Sequence, residues 1–233
     1  MAGTSVAERL KNLHARIADA CRAAGREPSS VRLLAVSKLQ DAEKIREAFA
    51  CGQVDFGENY VQEALKKQAE LSDLPLRWHF IGRLQSNKLK QMARKFTVIH
   101  SLERMETAIL LNKVTGPKTQ DIFVQVNIAR ELSKGGADAR AVEQLLTDCA
   151  NCDYLRVMGL MVMPPLSENP EDARPHFRAA RELLIDMREK FAGRHPLTEL
   201  SMGTSHDFAV AIAEGATIVR IGSEVFGPRE KRA

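Results

Sequence analysis

Residues 31–52 read VRLLAVSKLQDAEKIREAFACG, and this stretch decides the fold that the sequence predicts. Its first part, Val31–Ser37, is a short and mostly apolar run, which is typical of a parallel strand buried on both faces. Asp41 is a suitable helix N-cap, and the amphipathic segment Ala42–Ala50 that follows it ends before Gly52. The stretch therefore predicts one β-strand followed by one α-helix.

The same unit recurs to the end of the chain. Further strand-like runs are found at Val54–Gly57, Arg77–Ile81, Phe96–Ser101, Asp121–Asn127, Leu155–Val162, Thr198–Met202 and Ile218–Gly222. The helix-like segments between them are Glu58–Leu71, Ser86–Lys95, Glu103–Lys113, Ala137–Ala150, Glu171–Phe191 and His206–Glu214. One more amphipathic helix, over Val6–Ala24, precedes the first strand.

Boundary residues support several of these segments. Ser101 is a possible N-cap, and Gly193 and Gly215 are suitable helix stops. Met163–Pro175, with its four prolines, is the only long irregular stretch and is expected to form a surface loop.

Eight such units in 233 residues take roughly 29 residues each, which is the size of a (β/α)8 barrel near its minimum length. A doubly wound open sheet is the rival α/β architecture, because alternation alone does not separate the two. No Gly-x-Gly-x-x-Gly follows a strand, and this disfavours a dinucleotide-binding sheet. We predict a single (β/α)8 TIM barrel over residues 1–233, with an extra N-terminal helix.

The composition is that of an ordinary globular protein. Apolar residues make up 44% and charged residues 27%, which excludes a disordered chain. The net charge of +4 is small and evenly spread, so no nucleic-acid or membrane partner is expected, although a small anionic ligand would suit it. The amino-terminal residues lack the apolar core of a signal peptide, and no run approaches a membrane span. We expect a cytoplasmic protein.

The four cysteines are too few for a disulfide scaffold in a chain of this length. Cys149 and Cys152 have the spacing of metal ligands, but no second pair or nearby histidine completes a site. We expect reduced cysteines and no metal.

The ends of the strands carry most of the polar residues and glycines. In a (β/α)8 barrel these ends form the active site. Lys38 closes the first strand, and a partly desolvated amine there suits a Schiff base with an aldehyde. A solvated lysine at a strand end is the ordinary alternative.

The loops after strands 7 and 8 have the composition of a phosphate site. They read Ser201-Met202-Gly203-Thr204-Ser205 and Arg220-Ile221-Gly222-Ser223. Glycines let backbone N–H groups approach phosphate oxygens, hydroxyls add donors, and a helix starting at Ser223 would add its dipole. The alternative is that Gly203 and Gly222 only form tight turns. A phosphate site opposite a Schiff-base lysine describes a pocket for pyridoxal 5′-phosphate (PLP).

Two histidines lie within strands. His79 and His100 have no carboxylate or cysteine partner at metal or triad spacing in the sequence, so we expect them to be core or strand-end residues.

Five motifs resemble the YggS/PROSC family of pyridoxal phosphate homeostasis proteins, in order and over residues 5–229. They are Ala35-Val36-Ser37-Lys38, Phe56-Gly57-Glu58-Asn59-Tyr60-Val61-Gln62-Glu63, His79-Phe80-Ile81-Gly82-Arg83-Leu84-Gln85-Ser86-Asn87-Lys88, Ser201-Met202-Gly203-Thr204-Ser205 and Val219-Arg220-Ile221-Gly222-Ser223-Glu224-Val225-Phe226-Gly227. The resemblance implies a fold-type III barrel like the N-terminal domain of alanine racemase, with PLP as cofactor.

By motif position, the resemblance assigns a role to each of seven residues. Lys38 would hold PLP as an aldimine, Asn59 would lie near the ring, and Arg220 would face the pyridine nitrogen. The phosphate would be bound by Ser201, Gly203, Thr204 and Gly222. Two departures stand out: the family usually has methionine in place of Thr204, and the tyrosine common in the family's tail is missing after Arg229.

The resemblance implies a role in PLP homeostasis, by buffering the cofactor and delivering it to apo-enzymes, rather than turnover. Arg220 can only donate, so it would leave the ring nitrogen unprotonated and the electron sink weak. A two-base racemase also needs a second proton-transfer group, which a separate β-domain supplies in alanine racemases. We expect no such domain here, and we expect Tyr154 on the wrong barrel face.

Two rival functions stay open on the sequence. The first is a PLP-dependent amino acid racemase or lyase of broad specificity, and the second is a barrel aldolase that uses Lys38 on its substrate. The expected partners are PLP and PLP-dependent apo-enzymes, and the expected oligomeric state is a monomer. Lys134 matches a family lysine and is a candidate second acceptor during transfer.

Overall fold

Eight parallel strands close into a barrel in the computed structural model, which describes residues 5–129 and 135–228. The strands are β1 (Arg32–Val36), β2 (Asp55–Glu58), β3 (Arg77–Phe80), β4 (Val98–Leu102), β5 (Gln120–Val126), β6 (Leu155–Val162), β7 (Glu199–Ser201) and β8 (Ile218–Ile221). Each strand pairs with the next in sequence, and β8 closes on β1 with Leu34 level with Arg220. The predicted (β/α)8 barrel is confirmed, and the open sheet is excluded.

The helices cover the outside of the barrel. They are α1 (Val6–Ala23), α2 (Ala42–Ala50), α3 (Val61–Glu70), α4 (Leu89–Met92), α5 (Met105–Thr115), α6 (Val142–Cys149), α7 (Arg174–Lys190), α8 (Phe208–Ala213) and α9 (Ser223–Phe226). Helix α1 is the extra N-terminal helix. A capping box between Ser5 and Glu8 fixes its start, and it buries Leu10, Leu13 and Ile17.

The apolar residues form two layers. The larger cluster lies between the strands and the helices, as expected for strands that are covered on their outer face. A smaller cluster joins five strands inside the barrel, and its buried members are Leu34, Val98, Phe123, Met161 and Ile218. The interior is therefore packed rather than hollow, and it supports the strand ends where the polar loops begin.

Two boundary predictions are wrong. Ser101 lies inside β4 and is buried, and the N-cap position of α5 belongs to Arg104, because β4 continues to Leu102. The stretch Met163–Pro175 is irregular only in its first part. Its last residues form a short 3-10 turn and the start of α7, where proline at the first helical positions costs no hydrogen bond.

Within residues 5–129 and 135–228, no helix combines the length and the apolar character that a membrane crossing requires.

Candidate functional site

The predicted site residues all lie at one end of the barrel. Lys38 follows β1, and Asn59 follows β2. Ser201 ends β7, and Gly203 and Thr204 come directly after it. Arg220 lies in β8, and Gly222 follows that strand. Because parallel strands all end at the same rim, the topology brings these residues to a common mouth.

The turn that carries Lys38 is fixed on both sides. Before it, the Ser37 carbonyl accepts hydrogen bonds from Gln40 N at 3.0 Å and from Lys67 Nζ at 2.7 Å. After it, Leu39 has a φ of 60°, which is rare for a branched residue, and its N–H donates to Glu63 Oε1 at 2.6 Å. The half-buried Lys38 thus extends from a backbone held by its neighbours.

A buried ion pair underlies this turn. Glu58 is fully buried, and its Oε1 accepts from Ser37 Oγ at 2.7 Å and from Lys67 Nζ at 2.8 Å. Burial raises the pKa of Glu58, and the neighbouring Lys67 only partly opposes that shift. Lys67 also donates to Glu63 Oε1 at 2.6 Å, so one ammonium joins α3 to the ends of β1 and β2.

The loops after β7 and β8 lie against each other. Arg220 N donates to Gly203 O at 2.9 Å, and the Ser205 and Ser223 hydroxyls are 3.4 Å apart. A Cβ on Gly222 would stand 3.0 Å from Val36 O, so the second loop also packs on the end of β1. The two loops and the Lys38 turn therefore form one continuous rim.

Several backbone N–H groups on this rim have no protein acceptor. In the described chain, those of Ser205, Gly222 and Ser223 form no hydrogen bond to protein atoms. Thr204 differs, because its N–H and its hydroxyl both donate to Asp207 Oδ1, at 2.6 and 2.9 Å. The unused donors suit an anionic group held between the loops.

Gly203 is required by the shape of this loop. Its φ is +91°, and a Cβ there would lie 2.6 Å from Ala211 Cβ. We expect Gly203→Ala to destabilise the protein by about 1–3 kcal/mol from backbone strain alone, with the clash added to it. Gly193→Ala is the matched control, because its φ of +81° is similar but nothing lies within 4 Å. Urea denaturation of both variants checks the prediction, and equal losses would contradict the role of the contact.

Arg220 is a buried cation at the floor of the mouth. Its Nη1 donates to Ser201 O at 2.5 Å and to Ser201 Oγ at 3.0 Å, and its Nη2 donates to Val162 O at 2.9 Å. Desolvation lowers the pKa of Arg220 to about 10, which still leaves it charged at neutral pH. A guanidinium has five N–H donors, so Nε–H and the second Nη2–H have no acceptor among the described residues.

The Ser201 hydroxyl is engaged inside the barrel. Besides accepting from Arg220, Ser201 Oγ lies 2.9 Å from His100 Nδ1, and Ser201 is fully buried. His79 and His100 are core residues, as expected. His79 nevertheless has a carboxylate partner, because its Nε2 lies 3.0 Å from Asp55 Oδ1.

Asn59 has a buried oxygen without a partner in the described residues. Its Oδ1 is inaccessible to solvent and accepts no hydrogen bond. A buried amide oxygen without a donor is costly, so a ligand that supplies one would be favoured here.

Sequence reasoning missed Asp55 and the cluster of Glu58, Glu63 and Lys67. Lys67 could have been noticed, because it falls on the apolar stripe of α3 between Ala64 and Leu71. Lys134, the candidate second acceptor, lies outside the described residues. No group of three histidine, cysteine, aspartate or glutamate residues within 5–129 and 135–228 could hold a metal ion.

Known proteins match the chain over nearly its whole length. The family model for the N-terminal domain of alanine racemase matches residues 9–230. The pyridoxal phosphate homeostasis protein of Aquifex aeolicus is 46% identical over 225 residues, which cover 96% of this chain and 98% of that protein. The pyridoxal phosphate homeostasis protein of Pseudomonas aeruginosa is 44% identical over 229 residues, which cover 97% of each.

A solved structure agrees with these matches. PipY of Synechococcus elongatus, with PLP bound, is 39% identical and superposes with a TM-score of 0.84 over 96% of this chain and 100% of that one.

Proposed function

Because the chain belongs to the family of pyridoxal phosphate homeostasis proteins, within the alanine racemase N-terminal domain family, we propose that it binds PLP at the barrel mouth. It holds the cofactor reversibly and so buffers its supply in the cell. The observation that carries this proposal is Arg220, a buried cation with two N–H donors that have no acceptor among the described residues. It lies on the same rim as Lys38 and the free backbone N–H groups of the loops after β7 and β8.

The donor set fits each part of PLP. The phosphate suits the loops after β7 and β8, where Gly203, Thr204 and Gly222 bring backbone and hydroxyl donors together. The ring nitrogen is an acceptor and suits the unused N–H groups of Arg220. Asn59, whose buried Oδ1 lacks a donor among the described residues, suits the neighbourhood of the ring.

Lys38 is proposed as the residue that bonds the cofactor covalently. PLP supplies an aldehyde, which condenses reversibly with primary amines. The hydrogen bonds at the Ser37 carbonyl and the Leu39 N–H hold the backbone of this turn, so little backbone entropy is lost when the Lys38 amine is positioned.

A carrier fits the site better than an enzyme does. Arg220 only donates, so the ring nitrogen that it faces stays unprotonated and withdraws electrons weakly. The sequence has two tyrosines. Tyr154 lies at the opposite end of the barrel, where its carbonyl accepts from Gln120 N at the start of β5, and Tyr60 is 53% exposed at the mouth.

We further propose that the protein is a cytoplasmic monomer and that PLP-dependent apo-enzymes receive the cofactor. An exposed site that loses its ligand reversibly is what such a transfer requires. A test is to mix the PLP-loaded protein with an apo-enzyme across a dialysis membrane and in direct contact. Faster reactivation in contact would favour direct delivery.

The proposal is tested by adding PLP to the purified protein and reducing it with borohydride. We expect visible absorbance that reduction removes and a pyridoxyl adduct on Lys38 by peptide mass spectrometry. A racemase or lyase would instead exchange the α-proton of amino acids in deuterated water. Exchange that depends on Lys38 would support that alternative, and an adduct-free protein would overturn the proposed covalent bond to Lys38.

Phosphate recognition is tested with Thr204→Val. The hydroxyl can turn from Asp207 to a phosphate oxygen, so its loss should weaken PLP retention by about 1–3 kcal/mol, the contribution of a hydrogen bond to a charged group. Pyridoxal, which lacks the phosphate, should bind as before. Thr147→Val on the exposed face of α6 is the control. Equal PLP dissociation constants for Thr204→Val and the control would contradict the assignment.

A further inference from the structure

A line of polar side chains crosses the interior of the barrel. Asp55 Oδ1 lies 3.0 Å from His79 Nε2, and His79 Nδ1 lies 2.9 Å from His100 Nε2. His100 Nδ1 lies 2.9 Å from Ser201 Oγ, which accepts from Arg220 Nη1 at 3.0 Å. These residues come from β2, β3, β4, β7 and β8, so the line joins the start of β2 to the floor of the mouth.

Chemistry fixes the direction of every hydrogen bond in this line. Arg220 can only donate, so Ser201 Oγ accepts from it. Among the described residues, the only remaining hydrogen-bond partner of the Ser201 O–H is His100 Nδ1. If Nδ1 accepts, the proton of neutral His100 is on Nε2 and is donated to His79 Nδ1. His79 then donates from Nε2 to Asp55, which as a carboxylate can only accept.

The opposite direction would leave a group unsatisfied. If His100 donated from Nδ1 to Ser201, the serine hydroxyl would accept from both His100 and Arg220, and its own proton would have no acceptor among the described residues. Since Ser201 is fully buried, that unsatisfied proton would cost free energy.

The Asp55 end of the line and its centre at His100 are held in place. Arg77 Nη2 donates to Asp55 Oδ2 at 2.6 Å. Burial acts to raise the pKa of Asp55, but its hydrogen bonds with His79 and Arg77 outweigh that effect and keep the pKa below its usual value. The His100 ring stacks on Phe123 at 4.5 Å, and burial holds the pKa of His100 well below its usual value, so it stays neutral.

We propose that Asp55, His79, His100 and Ser201 are positioning residues for Arg220. The directed line turns the Ser201 proton to His100 and so leaves Ser201 Oγ to accept from Arg220 alone. This fixes the guanidinium with Nε–H and one Nη2–H turned to the ligand's ring nitrogen. The inference deepens the proposed function and rests on it for the identity of that ligand. It also gives Ser201 a role toward Arg220 rather than toward the phosphate.

The direction of the line is measured on the cofactor-free protein. Nitrogen-15 NMR distinguishes the Nε2–H and Nδ1–H tautomers of histidine and the doubly protonated ring. We expect Nε2–H for both His79 and His100 at pH 7. Nδ1–H or a charged ring at either position would overturn the directed line.

Asp55→Asn should reverse the line. Arg77 requires an oxygen acceptor from residue 55, so the new amide would turn its nitrogen to His79. His79 Nε2 would then accept a hydrogen bond from that nitrogen, and both histidines should switch to the Nδ1–H tautomer. PLP release should then be faster by about fivefold to tenfold, as for one lost hydrogen bond. Asp121→Asn is the matched control, because Asp121 pairs with Arg156 at the same end of the barrel without touching a histidine. Unchanged tautomers, or switched tautomers with unchanged release, would overturn the proposal.

Ser201→Ala gives a second test that does not depend on the first variant. As a positioning residue, Ser201 should matter equally for pyridoxal and for PLP, so both dissociation constants should rise by the same factor. As a phosphate ligand it would matter for PLP alone, and that result would overturn the proposal. If wild-type protein retained neither ligand, the proposed function would fail, while the tautomers would still decide the direction of the line.

Discussion

Lys38→Ala is expected to abolish the visible absorbance of the PLP-loaded protein and every borohydride-stable adduct. The reason is chemical, because alanine has no amine to condense with an aldehyde. The loops after β7 and β8, which we propose bind the phosphate, and Arg220 remain in the variant, so weak and dialysable binding of PLP should persist. Absorbance spectra before and after dialysis, with intact-mass measurement after reduction, check both halves of the prediction.

Two controls test whether the effect comes from the Lys38 amine itself. One keeps the positive charge without the amine, and the other removes an exposed lysine elsewhere. Lys38→Arg keeps a cation at the mouth but cannot form the bond, so it should behave as the alanine variant does. Lys66→Ala removes a lysine that is 80% exposed on α3, and it should keep the wild-type spectrum. An unchanged adduct yield in Lys38→Ala would show that another lysine holds the cofactor.

The barrel could be predicted from the sequence because each of its units is local. The apolar run Val31–Ser37 and the amphipathic segment Ala42–Ala50 need no distant partner to be recognised. Each strand then pairs with its neighbour in sequence, so the order of units is also the order in space. The prediction of Ser101 as an N-cap is wrong because the end of β4 depends on pairing with β5, which no local signal reveals.

The polar interior could not be predicted in the same way. His79 meets Asp55 on the preceding strand and His100 on the next, and the line reaches Ser201 about one hundred positions later. Sequence spacing that identifies metal sites or triads does not describe contacts across a barrel. The partner of His79 becomes visible only when the register places β2 beside β3.

Two sets of polar residues support the site, and they do so by different interactions. In the proposal above, the line from Asp55 orients the Arg220 guanidinium toward the ring nitrogen of PLP, and every hydrogen bond in it has a defined donor. The cluster of Glu58, Glu63 and Lys67 instead holds the turn of Lys38 by charge. We therefore expect changes in the first set to alter ligand release, and changes in the second to alter stability as well.

Lys67→Met is expected to cause a large loss of stability. Glu58 is fully buried, and breaking a buried ion pair by removing one partner costs about 3–5 kcal/mol, because the other charge is left uncompensated. Adding Glu58→Gln should recover most of the loss, since the neutral amide can still bond Ser37 Oγ. Urea denaturation of the two single variants and the double variant gives the coupling between the two residues.

The loss should also depend on pH with a definite sign. Burial raises the pKa of Glu58 in the folded protein. The protonated side chain therefore contributes to the free energy of unfolding at low pH, and this contribution is lost as the pH rises through the pKa of the folded state. Without Lys67 the folded pKa rises further, so Lys67→Met should lose more stability between about pH 5 and about pH 8 than wild type does. The double variant should lack this dependence, because glutamine does not titrate.

Lys66→Met, one position earlier and exposed, should change neither the stability nor its pH dependence. If Lys67→Met were as stable as Lys66→Met at pH 8, the ammonium would not be compensating Glu58. The turn that carries Lys38 would then have to be held by the Glu63 and Gln40 hydrogen bonds alone. If instead Glu58→Gln failed to rescue Lys67→Met, the lost bond to the Ser37 carbonyl would be the larger cause, since methionine at position 67 leaves that oxygen one donor short.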